Sequence, residues 1–140
     1  MYHVSLLERH DFNDIVISIK SSNVPVVVEA YRQLSLRCDY PLHVGVTEAV
    51  TYRMGLIKSA MGIGTLLLEG IGDTIRVSLT DEPEKEVRAG FDILRAAGHF
   101  VPGPEVVSCP TCGRTNINVA QIASEVEERL RGCNKPIKVA

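Results

Sequence analysis

The sequence predicts an α/β protein of parallel strand–helix units: the C-terminal part of a (β/α)8 barrel of the TIM type over residues 1–102, then the truncated start of a second α/β domain over 103–140. Three observations predict it. Short β-branched apolar runs recur about every 30 residues, at 15–19, 42–46, 74–79, 105–108 and 137–139, as buried parallel strands read. Amphipathic helical patterns fill the intervals. That period belongs to right-handed crossovers, in either an open doubly wound sheet or an eight-fold barrel. The ends of the chain choose between the two. It opens in a helical pattern with no strand before it and stops inside an apolar run, whereas a whole barrel takes roughly 250 residues. The 140 residues are therefore expected to be a fragment carrying the last strand–helix units of a barrel.

Each element has its own local reason. Residues 2–9 alternate as an amphipathic helix. The run 15–19, Ile-Val-Ile-Ser-Ile, reads as the first strand. Residues 24–36 carry apolar side chains at Val27, Val28, Tyr31, Leu34 and Leu36, and Ser21, Ser22 and Asn23 are cap candidates. After the second strand, 55–69 is helical. Gly62-Ile63-Gly64 and Gly70-Ile71-Gly72 fail the dinucleotide pattern G-x-G-x-x-G, because Leu67 stands where the first would need its third glycine. They read as close helix packing and a turn. Residues 83–97 form the next helix, with Pro83 in its first turn behind Asp81 and Gly98 as its stop. Pro102-Gly103-Pro104 punctuates the chain at the domain boundary. The last helix is 117–130, ended by Gly132.

Composition excludes several classes. With 45% hydrophobic and 23% charged residues the chain has ordinary globular material for a core. A formal net charge of −2 argues against bulk nucleic-acid binding and against anionic membranes, so any phosphate recognition is local. No apolar stretch approaches about 18 residues, and no leader pattern is visible. Four cysteines at irregular spacing do not make a disulfide scaffold, which points to the reducing cytoplasm.

Two groups of residues carry chemistry. Cys109-Pro110-Thr111-Cys112 places two soft thiolates on one tight turn after an apolar strand. The spacing suits zinc, an iron–sulfur cluster or a redox disulfide. The second group lies at the carboxyl ends of the first three strands, where active sites of such barrels gather. Lys20 follows the first strand, Thr47 and Glu48 the second, and Arg76 and Ser78 lie late on the third. Cations, a hydroxyl and a carboxylate in one mouth suit a small phosphorylated anion. Lys20 also reads as a solvated rim residue and Glu48 as a helix cap. Arg76 is harder to place blandly. It interrupts an apolar strand and would be a costly buried charge unless it faces a polar interior or a carboxylate.

Several motifs in register then carry a resemblance: Gly45-Val46-Thr47-Glu48-Ala49, Lys58-Ser59-Ala60, Gly62-Ile63-Gly64, Glu69 through Ser78, and Ser108 through Arg114. From about Asp14 to its last residue the chain resembles the 4-hydroxy-3-methylbut-2-enyl diphosphate synthase family. The resemblance implies an N-terminal barrel and a C-terminal iron–sulfur domain, of which 103–140 would be the start. It implies an oxidoreductase of isoprenoid biosynthesis that reductively opens 2-C-methyl-D-erythritol 2,4-cyclodiphosphate, with ferredoxin or flavodoxin as electron donor and a homodimer when full length. Lys20, Arg76 and Ser78 match positions that hold the diphosphate, and Glu48 matches a catalytic acid. Cys109 and Cys112 match two of three cysteines of a [4Fe–4S] cluster. The third cysteine and a glutamate ligand are expected beyond Ala140, so the fragment alone is expected to be inactive.

One departure from the family is visible: Val50 stands where glycine usually follows Thr-Glu-Ala. Cys133 precedes the final strand, where the family's third cysteine follows it, and is assigned to packing. Cys38 reads as an inert small hydrophobe, and His43, inside a strand, as a satisfied core residue. The alternative functional reading is a zinc-binding or C-x-x-C redox module on an α/β scaffold. A zinc module wants a second close pair of ligands, which the sequence lacks. A thioredoxin-like enzyme places its pair at a helix start, whereas here the helix begins several residues later.

Overall fold

A computed structural model describes residues 1–47 and 51–140. Its contacts divide the chain into two units, Met1–His99 and Phe100–Ala140. No helix of the described residues is long and apolar enough to cross a membrane.

The first unit begins with helix α1, Tyr2–Glu8. Helix α2, Val24–Ser35, is capped by Asn23, whose side chain accepts from the Val26 N–H at 3.1 Å, and it has proline in its first turn. Both devices satisfy or remove amide donors that a helix start leaves open. Strand β1, His43–Gly45, and strand β2, Thr74–Arg76, pair in parallel with His43 opposite Thr74 and Gly45 opposite Arg76. Helix α3, Tyr52–Leu68, starts three residues before the expected residue 55. Helix α4, Pro83–Ala96, opens on proline and gives way to Gly98, whose φ of +84° suits a residue without Cβ.

The run 15–19 forms no strand of its own. It meets the sheet through one parallel bridge, Ile17 to Leu42. The Ile17 amide donates to Pro41 O at 2.9 Å and the His43 amide to Ile17 O at 2.8 Å. One pair further on the ladder is interrupted by the fully buried Tyr31 of α2. Its hydroxyl accepts from the Ile19 N–H at 2.8 Å and donates to His43 O at 2.6 Å, with Ile19 O at 3.2 Å as a second acceptor. A side chain thus takes the place of a backbone pair.

Alternation of side chains along the strands sorts the two faces. Ile17, Ile19, Leu42, Val44, Val77 and Leu79 pack with Val27, Val28 and Tyr31 of α2, Ile63, Leu66 and Leu67 of α3, and Ala89 and Ile93 of α4. This is the core between sheet and helices. Gly62 lets α3 lie flush on the end of β1, since a Cβ there would come 2.6 Å from Val46 Cγ2. The sheet is held at its amino end by Asp73, whose carboxylate accepts from the Leu42 N–H at 2.7 Å. At its far end Glu86 of α4 accepts from the Leu79 N–H at 2.8 Å.

The second unit is thinner. Strand β3, Glu105–Val106, pairs in parallel with β4, Lys138–Val139, and the pair carries a Lys138–Glu105 ion pair of 3.2 Å. Helix α5, Val119–Arg129, is capped by the Asn118 side chain, which accepts from Gln121 N–H at 3.1 Å, and packs on β3. No residue of 100–140 is fully buried. Two short strands and one helix enclose too little volume for a closed core.

Candidate functional site

The face of the sheet turned away from the helices is polar. Residues two apart share a face, so His43, Gly45 and Thr47 lie with Thr74, Arg76 and Ser78, while Ser18 and Lys20 alternate with the core-packed Ile17 and Ile19 of the segment bridged to Leu42. The Thr47 amide donates to Ser21 O at 3.0 Å, which draws the segment after Lys20 alongside the end of β1. Lys20, Arg76 and Ser78 therefore fall on one face, toward the carboxyl ends of three neighbouring segments. Lys20 is exposed, while Arg76 and Ser78 are half-buried. Glu48, the acidic member of the set, and Val50 lie outside the described residues.

Two polar atoms on this face are buried without a hydrogen-bond partner among the described residues: Thr47 Oγ1 and Arg76 Nε. Buried donors and acceptors are nearly always paired, so a guanidinium nitrogen and a hydroxyl without partners among the described residues leave bonding capacity open on this face. Gly45 shapes the same spot. A Cβ there would lie 2.8 Å from Arg76 O and 3.6 Å from Arg76 Cβ, so only glycine lets the strands close at Arg76. Sequence reading picked out Arg76 from its place in an apolar run. It gave Gly45 no structural role, because the need for glycine arises from the neighbouring strand. His43 is satisfied, with Nδ1 2.8 Å from Thr74 Oγ1, but it is half-buried on this polar face and not in the core as expected, because the alternation sends Leu42 and Val44 inward in its place.

The cysteine pair follows β3. Cys109 and Cys112 are both exposed free thiols. Thr111 between them has φ +72°, a left-handed conformation that a β-branched residue adopts at a cost of about 1–3 kcal/mol. The turn is tied off by Thr115, whose hydroxyl accepts from the Cys112 N–H at 3.3 Å and whose amide donates to Cys112 O at 3.0 Å. The Arg114 amide, then the Thr115 hydroxyl and the Arg114 side chain, push the Cys112 thiol below its ordinary range. That favours the thiolate a metal requires. Cys109 borders a cavity of about 210 Å³ lined by Val106, Val119, Ile122, Val126 and Val139. Among the described residues no three histidine, cysteine or acidic side chains gather into a metal site. Two thiols on a turn rich in N–H groups fit part of a cluster site, and the donor set needs ligands from elsewhere.

Cys133 and Cys38 are half-buried. The Cys38 thiol points at Leu34 O, 3.7 Å away across one helical turn.

Comparison with known proteins gives the frame for both groups. Residues 1–91 match the GcpE TIM-barrel domain, and residues 105–140 match the GcpE protein C-terminal domain. The chain is 60% identical over 138 residues to the 4-hydroxy-3-methylbut-2-en-1-yl diphosphate synthase (flavodoxin) of Clostridium tetani, covering 99% of this chain and 40% of that protein. It is 61% identical over 138 residues to the protein of the same name from Clostridium perfringens, with the same coverage. Against that of Fusobacterium nucleatum it is 53% identical over 140 residues, 100% of this chain and 40% of the relative. The chain thus spans about 40% of the length of these curated relatives. With both matches in sequence order on the two units of the fold, the chain belongs to the GcpE family.

Proposed function

We propose that this chain is an internal fragment of a 4-hydroxy-3-methylbut-2-enyl diphosphate synthase, an iron–sulfur oxidoreductase of isoprenoid biosynthesis. Its substrate is 2-C-methyl-D-erythritol 2,4-cyclodiphosphate, its electron donor flavodoxin, and its setting the cytoplasm, with a homodimer formed by the full-length protein. Residues 1–102 belong to the barrel and 103–140 to the start of the cluster domain. The names of relatives 53–61% identical support the reading. The structural observation that carries it is the pair of orphaned atoms, Thr47 Oγ1 and Arg76 Nε, on the face shared with Lys20 and Ser78.

The residues divide the work. Arg76 and Lys20 neutralise the phosphates, the Arg76 guanidinium with paired, charge-assisted bonds, while the Ser78 and Thr47 hydroxyls complete the oxygen shell. Glu48, next after Thr47, holds the proton for the departing hydroxyl. A carboxylate beside phosphates is tolerated chiefly for such proton work. Cys109 and Cys112 would ligate a [4Fe–4S] cluster whose other ligands come from outside these 140 residues. That cluster, when bound, supplies the electrons for reductive cleavage of a carbon–oxygen bond.

Calorimetric binding and steady-state kinetics on the full-length protein test the reading. Arg76→Ala removes charge-assisted bonds of about 1.5–3 kcal/mol and is expected to raise the Kd for the cyclic diphosphate about 10- to 150-fold. Glu48→Gln is expected to leave binding intact and lower turnover about 10²- to 10⁴-fold. Unchanged binding in the first variant or full turnover in the second removes the assigned role.

A further inference from the structure

We propose that Glu86 of α4 is a positioning residue for phosphate binding: its carboxylate anchors the backbone just beyond Ser78 and so fixes where the Ser78 hydroxyl stands. This rests on the reading of Ser78 as a phosphate ligand. Helix α4 packs on β2, and its buried positions are Ala89, Gly90 and Ile93. Glu86 precedes them by three, four and seven residues, which puts it on the same inward stripe, and it is half-buried. An acid on the inward stripe of a helix is costly unless its oxygens are bonded. Here Oε1 accepts from the Leu79 N–H at 2.8 Å.

The bond falls where the strand needs a tie. The ladder between β1 and β2 ends at the pair of Gly45 and Arg76. Val77 and Leu79 are 4% and 5% exposed and turn into the core, so Ser78 between them turns to the polar face. The backbone that carries Ser78 is therefore held at Arg76 by the neighbouring strand and at Leu79 by Glu86. The second hold is a charge-assisted bond from a helix that Ala89 and Ile93 already fix in the core. Without it, Ser78 can shift while Arg76 keeps its place in the ladder. Glu86 acts through Ser78 and needs no contact with the substrate.

Calorimetry with the cyclic diphosphate on the full-length protein tests this with Glu86→Ala, Glu86→Asp and Glu86→Gln, each also made in a Ser78→Ala background and checked for folding by circular dichroism. Glu86→Ala is expected to raise Kd about tenfold. Glu86→Asp draws the acceptor back by one methylene and is expected to weaken binding by a smaller factor. Glu86→Gln keeps an oxygen acceptor at the same reach and is expected to bind as the unmodified protein does. In the Ser78→Ala background the Glu86 substitutions are expected to change Kd by less than about twofold, because the group they position is gone. A purely structural role would add its loss to that of Ser78→Ala. Additive losses overturn the proposal, as does a Glu86→Ala variant that binds like the unmodified protein; should Glu86→Ala fail to fold, equal binding by Glu86→Asp and Glu86→Gln overturns it. A Kd left unchanged by Ser78→Ala alone removes the phosphate-binding role of Ser78 and this proposal with it, whereas a loss with Ser78→Ala and none with Glu86→Ala removes this proposal only.

Discussion

Tyr31→Phe isolates one oxygen atom and asks whether it splices the Lys20-bearing segment onto the sheet. The ring stays in a fully buried position, so no cavity opens, and only the hydroxyl is lost. That hydroxyl satisfies the Ile19 N–H at 2.8 Å and His43 O at 2.6 Å, and no backbone group of β1 is placed to replace it. Leaving a buried donor and acceptor unsatisfied costs about 1–3 kcal/mol. In a unit of this size each kcal/mol moves Tm by about 4–8 °C, so a loss of about 2 kcal/mol predicts a fall of roughly 8–16 °C. Thermal unfolding followed by circular dichroism measures the shift. Amide hydrogen exchange locates it, with protection of Ile19 expected to fall first and that of Val44 to hold. A Tm shift below about 4 °C, the least expected from 1 kcal/mol, together with unchanged Ile19 protection, would refute the reasoning.

Gly45→Ala places a Cβ 2.8 Å from Arg76 O and forces β1 and β2 apart. The expected cost is about 1–3 kcal/mol of stability, with at least about tenfold weaker binding of the cyclic diphosphate by the full-length protein; unchanged Tm and affinity would show that the strands give way freely. Glu69, at the end of α3, is paired with Arg32 of α2, whose guanidinium holds the carboxyl below its usual range. A depressed folded-state pKa contributes stability above the unfolded value and loses it as pH falls through the folded one. The Tm difference between the unmodified chain and Glu69→Gln should therefore be present at neutral pH, modest because both side chains are solvent-screened, and gone in strong acid. A difference that persists unchanged into acid argues against the pair. Anaerobic reconstitution of the 140-residue chain should incorporate far less than four iron atoms per chain, since no three candidate ligands gather among the described residues and the proposed site takes only Cys109 and Cys112 from them. Iron and sulfide counts near four would bring Cys133 back as a third ligand.

Much of the helical layer was legible from the residues. Asn23 as a cap, Pro83 in a first turn, and Gly98 and Gly132 as stops are local devices whose effect depends on neighbours a few residues away. Gly62 as a packing position and Gly70 and Gly72 as a turn followed from the same reasoning, and both turn glycines have positive φ. The start of α3 was missed, because Thr51 caps it without a side-chain hydrogen bond and leaves no strong signal.

By itself, then, the sequence determined the order of the helices, the alternation that gives Arg76 and Ser78 one face of their strand, and the thiol pair on a turn. Each depends on periodicity or short spacing, and the long motifs in register pointed to the family. Only the tertiary structure decided what crosses between segments distant in the chain. The run 15–19 has the composition of a strand, yet Tyr31 takes the hydrogen bonds that would have extended its ladder. Gly45 is required by Arg76 of the next strand, and the Nε of Arg76, without a partner among the described residues, becomes visible only when packing has taken water away. Thr111 is forced to a positive φ by a turn that Thr115 closes from three residues beyond Cys112. Burial and partner choice depend on packing in three dimensions, and no periodicity in the chain encodes them.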